Sequence, residues 1–186
     1  MVKNYLKRLI YCNFGLFLFG IATVFCVRAG DAGTNAWNTL SLGISARTGM
    51  SFGTATFVTS LLIMLIAFTG KGKLGMGSLC NVVLVPVFSD LCLALFTFIP
   101  EAPNMVVGVI FTMIGQVITS VAAVIYMRPA LGCGPRDTLM IIIGKKIPGV
   151  PIGTVKFCIE IAVLLVGFLM GAPFGLGTVL VMILLS

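Results

Sequence analysis

Four charged side chains in the second half of this chain are spaced so that they could bind a solute or move a proton. Arg136 and Asp137 follow the turn Gly132-Cys133-Gly134-Pro135, and Lys156 and Glu160 lie four residues apart within an apolar run. The chain contains no histidine, and neither pair belongs to a nucleophile–base set. The chemistry that these residues favour is therefore charge recognition or proton transfer.

The turn before Arg136 predicts a helix that begins at Pro135. Proline is favoured at the first helical position, and the glycines before it permit a tight turn. The free N–H groups and the positive dipole end of such a helix suit an anion, and Arg136 adds a positive charge. Asp137 could cap the turn or pair with Arg128 or Arg136. The alternative is a capped interfacial helix whose charges only mark the cytoplasmic boundary of a membrane.

Glu160 lies nine residues into an apolar segment that begins near residue 151, about 14 Å along a helix axis. An ionisable group near the middle of a bilayer costs several kcal/mol and is by default a functional-site candidate. Lys156 precedes it by one helical turn and can pair with it. We favour a role for Glu160 in proton coupling or in a polar pathway. The alternative is a protonated or paired acid that only holds helices together.

The chain contains two copies of one unit. The motif around Arg136 has a degenerate version about a hundred residues earlier, in segment 28–40. Identical residues recur at a spacing of 99 or 100: Gly33/Gly132, Thr39/Thr138, Gly49/Gly149, Gly53/Gly153, Gly75/Gly175 and Gly77/Gly177. Each such glycine answers a backbone requirement, so one register through all of them indicates duplication.

The first copy keeps the turn but loses the charges, which predicts asymmetric binding. Asn35, Ala36, Trp37 and Asn38 replace the Gly-Pro-Arg-Asp of the second copy. The positions that match Lys156 and Glu160 hold Thr56 and Ser60, hydroxyls that can bond back to their own helix backbone.

The composition is that of an integral membrane protein. Of 186 residues, 59% are hydrophobic and 9% are charged, and the mean hydropathy is +1.18, so a soluble fold would lack the charge that its surface needs. The net charge of +7 arises from basic residues between apolar runs, which indicates topology signals and no nucleic-acid partner. The six cysteines form no Cys-x-x-Cys pair and are typical of small buried hydrophobes, not of a metal site.

We predict an all-α membrane protein of six transmembrane helices in two inverted three-helix repeats. Repeat 1 covers 1–100, with spans at about 9–27, 51–69 and 74–99, and repeat 2 covers 101–186, with spans at about 105–127, 151–170 and 174–186. Segments 28–50 and 128–150 are too polar to cross, so each should hold a short interfacial or re-entrant helix, at about 35–47 in the first copy. Pro86 should kink the third span. The last span is short beside its counterpart, and we favour truncation.

Charge distribution predicts that both termini are cytoplasmic. With the N-terminus inside, the positive-inside rule places nine basic residues on the cytoplasmic side and two, Arg28 and Arg47, outside. The nine are Lys3, Lys7, Arg8, Lys71, Lys73, Arg128, Arg136, Lys145 and Lys146. Because each copy has an odd number of spans, the second copy must enter from the opposite face, a layout that recurs in transporters.

These features favour a small secondary transporter or channel with a polar path between the repeats. The excess of basic residues around the second motif favours an anionic or carboxylate-bearing solute. The path would run along Arg128, Gly132, Gly134, Arg136, Asp137, Lys156 and Glu160, with first-copy counterparts Gly33, Asn35, Trp37 and Asn38. The alternative is a membrane scaffold that binds a partner protein and transports nothing. A homodimer would suit either function, and the residues indicate neither an enzyme nor a metal or cofactor.

The chain resembles the YczE/YyaS/YitT-type family of small bacterial membrane proteins. The resemblance rests on the Gly-x-Gly-Pro-Arg-Asp motif of 132–137 and on the downstream residues Gly149, Gly153, Thr154, Glu160, Gly167, Gly175, Gly177 and Thr178. The first motif departs from a Gly-Pro-Trp-Asp-like pattern at Asn35, Ala36 and Asn38. The resemblance implies a multi-pass protein of the bacterial cytoplasmic (inner) membrane and implies little about activity.

Overall fold

The computed structural model describes residues 2–70, 72, 74–147 and 149–185, without the side chains of 2–4 and 185, and over these residues it is all-helical. Eight α-helices follow in order: α1 (Val2–Arg28), α2 (Ala36–Thr48), α3 (Phe52–Thr69), α4 (Met76–Leu95), α5 (Met105–Met127), α6 (Pro135–Lys146), α7 (Ile152–Leu169) and α8 (Leu176–Leu185). A single 3-10 turn, Gly30–Ala32, lies between α1 and α2. Lys71 and Lys73, which the charge pattern predicts to be cytoplasmic, lie outside the described residues.

Five of these helices are long and apolar enough to cross a membrane. They are Tyr5–Arg28 within α1, and then α3, α4, α5 and α7. The predicted sixth span corresponds to α8, whose 10 residues are fewer than the roughly 20 that a bilayer requires. α4 runs from Met76 to Leu95 and continues through Pro86. It is shorter than the predicted span of 74–99.

The two short helices begin where their local signals place them. At α2 the side chain of Asn35 accepts a hydrogen bond from the Asn38 N–H at 3.0 Å, which satisfies one of the orphan N–H groups. At α6 Pro135 occupies the first turn after Gly134, as the sequence predicts. α6 ends with Lys145 and Lys146, whose positive charges suit the negative end of a helix.

Each short helix packs mainly against a long helix from the other half of the chain. α2 lies against α7, and α6 lies against α3. The approach at α2 is close: a methyl group added to Gly43 would lie 2.6 Å from the carbonyl oxygen of Gly167. On the α6 side, a methyl group added to Gly72 would lie 2.6 Å from Thr138 Cγ2. These contacts hold both short helices inside the bundle.

The Gly-x-Gly motifs at the start of α4 and α8 allow close packing. A methyl group on Gly75 would lie 2.1 Å from the Leu131 carbonyl oxygen, and the Gly77 N–H donates to the same oxygen at 2.8 Å. A methyl group on Gly175 would lie 2.2 Å from the carbonyl oxygen of Asp31. The loop before each short helix is therefore fastened to the first turn of a helix from the other half.

Asp90 caps the first turn of α3. From α4 it accepts the Ser51 hydroxyl at 2.6 Å and the Gly53 N–H at 2.7 Å, both at the first turn of α3. A carboxylate stabilises such a helix end. Among the cysteines, Cys12, Cys26 and Cys92 are buried, as expected, whereas Cys158 is exposed on α7.

Candidate functional site

A cavity of about 310 Å³ lies among the helices, and each of the eight contributes to its wall. Its volume is at the lower end of the range of small-molecule sites. The wall combines charged, amide and hydroxyl groups with apolar side chains. Such a mixture can orient a small solute, because a few polar groups fix its position while apolar surface excludes water.

The first turns of both short helices line this one cavity. α2 contributes Asn35, Ala36 and Trp37, and α6 contributes Gly134, Pro135 and Arg136 together with Asp137. Positive dipole ends and N–H groups that are not used within the helix occur at such positions. The equivalent motif positions of the two copies therefore meet across the cavity.

Arg136 lies over Trp37, the residue at the equivalent position of the first copy. The guanidinium carbon is 4.8 Å from the centroid of the indole ring, a cation–π geometry. Burial lowers the pKa of Arg136 to about 10, with Asp137 acting in the opposite direction, so the guanidinium stays charged at neutral pH. Trp37 fixes where this charge is presented.

Asp137 caps its own helix and faces two cations. Burial raises the pKa of Asp137, while the charges of Arg136 and Lys156 and a hydrogen bond from the Gly134 N–H oppose that rise. Capping of the turn is one of the alternatives that the sequence offers for Asp137, and a pair with Arg136 is another. Arg128, the other predicted partner, is exposed at the end of α5 and outside the cavity wall.

Lys156 and Glu160 both line the cavity from α7. Their nearest charged atoms are 3.8 Å apart, and the side chains are 36% and 19% exposed. This distance exceeds that of a charge-assisted hydrogen bond. The charge of Lys156 also lowers the pKa of Asp137. The wall therefore carries two cations, Arg136 and Lys156, each close to an acid.

Of the two first-copy hydroxyl residues, Thr56 and Ser60, only Ser60 lines the cavity. The hydroxyl of Thr56 donates to Ser41 Oγ at 2.9 Å, away from the cavity. The expectation that Thr56 bonds back to its own helix is therefore wrong, because α2 packs close enough to supply an acceptor.

Several wall residues come from positions that the sequence did not mark as a pathway. Gln116 of α5 accepts a hydrogen bond from the Asn35 side chain at 3.4 Å. Asn81 also lines the cavity. Tyr126 lines it too and donates from its hydroxyl to the Gly132 carbonyl at 3.1 Å. The sequence signal that could have identified Tyr126 is its position, six residues before Gly132 of the motif, as a side chain with a hydroxyl group.

Four predicted site residues lie outside the cavity wall. Gly33 packs against Thr178 and Gly132 packs against Gly75. Asn38 contributes its backbone N–H to the cap of α2, and Arg128 is exposed. Within the described part of the chain, no group of three His, Cys, Asp or Glu side chains could hold a metal ion.

Comparison with known proteins places the chain in a family. It is 35% identical to an uncharacterized protein of Haemophilus influenzae over 175 residues, 94% of this chain and 78% of the relative. It is 29% identical to the uncharacterized membrane protein YczE of Bacillus subtilis over 188 residues, 99% of this chain and 84% of the relative. No solved structure matches the chain. The model of the family of unknown function DUF6198 matches residues 6–186, and the chain belongs to this family of YczE-type membrane proteins.

Proposed function

We propose that this protein is a small secondary transporter or channel for a carboxylate-bearing solute. The observation that carries the proposal is a cavity whose wall contains the first turns of both short helices together with Arg136 and Lys156. Charged groups are expensive to hold inside a bilayer, and they recur there mainly along substrate and ion paths. Half-helices that end at such a site are a feature of transporters.

The competing function, a scaffold that binds a partner protein, has less support. A scaffold needs no internal cavity, and its short helices would lie flat on the surface. Here α2 and α6 pack between long helices, with Thr39, Ser41 and Gly43 of α2 buried.

We further propose that the two halves are inverted repeats in a bacterial cytoplasmic membrane, with both termini inside. Three contacts support this topology, because each joins two segments that it places on the same side of the membrane. Arg8 donates to the Pro129 carbonyl, the Ala102 N–H donates to the Arg28 carbonyl at 2.9 Å, and Arg47 donates to the Met170 carbonyl at 3.0 Å. The reciprocal packing of α2 on α7 and of α6 on α3 also supports two related halves.

Labelling of single cysteines tests this topology. In a background without native cysteines, a cysteine at position 73 or 145 is expected to react with a membrane-impermeant maleimide only from the cytoplasmic side. A cysteine that replaces Glu101, which is 79% exposed beside Arg28, should react only from outside. Labelling of 73 and 145 from opposite faces would contradict the inverted arrangement.

Flux measurements test transport itself. In proteoliposomes, uptake of small carboxylates is expected with the wild-type protein, and Glu160→Gln should lower the initial rate by roughly tenfold or more, because removal of one partner of a partly buried ion pair costs a few kcal/mol. The matched control is Glu101→Gln, the same change at an exposed carboxylate, which should leave the rate unchanged. Absence of flux for all carboxylates, or equal rates in both variants, would argue for the scaffold.

A further inference from the structure

A groove on the outside of the bundle shares no lining residue with the cavity described above. It lies between α3 and α4 and has a volume of about 220 Å³. Its lining residues follow one face of each helix, because they are spaced at i, i+1 and i+4 along α3 and at i, i+3, i+4 and i+7 along α4. They are Gly53, Thr54 and Phe57 of α3 and Val83, Pro86, Val87 and Asp90 of α4.

One end of the groove lies at the boundary of the membrane. The 18 residues Phe52–Thr69 of α3 form a candidate span, and a helix of that length, about 27 Å, matches the hydrocarbon thickness. The first turn of α3 therefore lies near the level of the lipid headgroups. Asp90 lies at this level, because its carboxylate accepts the Ser51 hydroxyl at 2.6 Å and the Gly53 N–H at 2.7 Å.

The other end of the groove is apolar and lies deeper. Val83 precedes Asp90 by seven residues on α4, which is about 10 Å along the helix axis. Phe57, Val83 and Val87 are 36%, 49% and 53% exposed. The groove therefore changes from a carboxylate at the headgroup level to hydrocarbon surface within the membrane, which is the polarity profile of a single phospholipid.

The carboxylate of Asp90 can accept further hydrogen bonds. Each of its oxygens has two lone pairs and accepts one of the two bonds to the start of α3. The side chain is partly exposed, and within the described residues it belongs to neither ion pair. A positively charged N–H donor at this level would form a charge-assisted hydrogen bond, which is shorter and stronger than a neutral one.

We propose that this groove binds a phospholipid whose headgroup ends in a primary ammonium, such as phosphatidylethanolamine. The ammonium donates to Asp90, and the phosphate lies toward the first turn of α3, whose positive dipole end suits an anion. One acyl chain lies along Phe57, Val83 and Val87. Phosphatidylcholine has no N–H donor for Asp90, and phosphatidylglycerol brings only negative charge toward it.

Native mass spectrometry of the full chain in detergent tests this assignment with three dioleoyl lipids that differ only in their headgroups. The wild-type protein is expected to bind phosphatidylethanolamine roughly tenfold more tightly than phosphatidylcholine or phosphatidylglycerol, since a hydrogen bond between charged groups contributes about that factor. Asp90→Asn removes the charge and keeps one acceptor oxygen, so the affinity for phosphatidylethanolamine should fall to that for phosphatidylcholine.

A second variant tests the groove without altering the cap of α3. Val87→Trp fills the groove and should abolish the preference for phosphatidylethanolamine. Val117→Trp is the matched control, because Val117 of α5 is 65% exposed and lies outside the groove, and it should retain the preference. The midpoint of thermal unfolding without added lipid shows that each variant is folded.

Three other results would overturn the inference. Equal affinity of the wild-type protein for the three lipids would show that the ammonium is not recognised. Tighter binding of phosphatidylglycerol would show that basic residues of the chain select the lipid instead. A preference for phosphatidylethanolamine that survives Asp90→Asn or Val87→Trp, or that Val117→Trp also abolishes, would exclude this groove as its origin. None of these results bears on transport, since the groove and the cavity have no lining residue in common.

Discussion

Replacement of Arg136 by alanine is expected to lower solute uptake roughly 30-fold or more at subsaturating concentration, because loss of a buried charged partner costs about 2–5 kcal/mol. Arg136 supplies the cation at the start of α6, and Trp37 fixes its position, with 4.8 Å from guanidinium carbon to ring centroid. Initial rates in proteoliposomes, normalised to the amount of inserted protein, measure the effect.

Two control variants separate this effect from a general loss of charge. Arg128→Ala removes the same charge from the same segment, but Arg128 is exposed and outside the cavity wall, so uptake should remain near the wild-type rate. Arg136→Lys keeps the charge and loses the planar group that stacks on Trp37, so its rate should lie between the two. Equal rates for Arg136→Ala and Arg128→Ala would show that the cavity is not the solute site.

Replacement of Gly33 by alanine is expected to destabilise the fold by about 2–6 kcal/mol, from backbone strain and overpacking together. Gly33 has φ of 77° and ψ of 177°, a backbone conformation that residues other than glycine rarely adopt. The added methyl group would also lie 2.2 Å from Thr178 Oγ1 and 2.8 Å from the backbone nitrogen of Gly175. The midpoint of thermal unfolding in detergent measures the loss.

Gly49→Ala is the matched control for Gly33→Ala. Gly49 also has a positive φ, 72°, but no atom lies within 4 Å of a methyl group added there. It should therefore cost only the strain of a left-handed residue, about 1–2 kcal/mol. In the Gly33→Ala background, Thr178→Ala should restore part of the loss, because it removes the nearest atom, one that has no hydrogen-bond partner. Equal shifts for both glycines, or no rescue, would contradict the packing explanation.

Local signals were enough to predict where most elements begin. Pro135 marks the start of α6, because the preference for a first-turn proline depends on a few adjacent residues. Apolar length was enough for five spans. Conversely, Thr56 was misjudged because its acceptor, Ser41, comes from a neighbouring helix, and a single helix cannot show which neighbour it will have.

The candidate site could be predicted in part, for the same reason. Arg136, Lys156 and Glu160 stand out since charge in an apolar chain is costly. The sequence did not show that Trp37 would lie beneath Arg136, or that Gly33 and Gly132 would face α8 and α4 instead of the cavity. Those assignments depend on how the two halves of the chain approach each other, which is a long-range property.

Each short helix packs against a long helix of the other half, and this has a consequence for folding during synthesis. When the ribosome has completed α4, α2 still lacks α7, the helix against which it mainly packs, and α6 does not yet exist to cover α3. The first half must therefore wait, inserted but incomplete, for the second. Each half acts as the template on which the other finishes folding, so neither can have the independence of a domain. A substitution that unfolds one half is therefore expected to destabilise the other half as well.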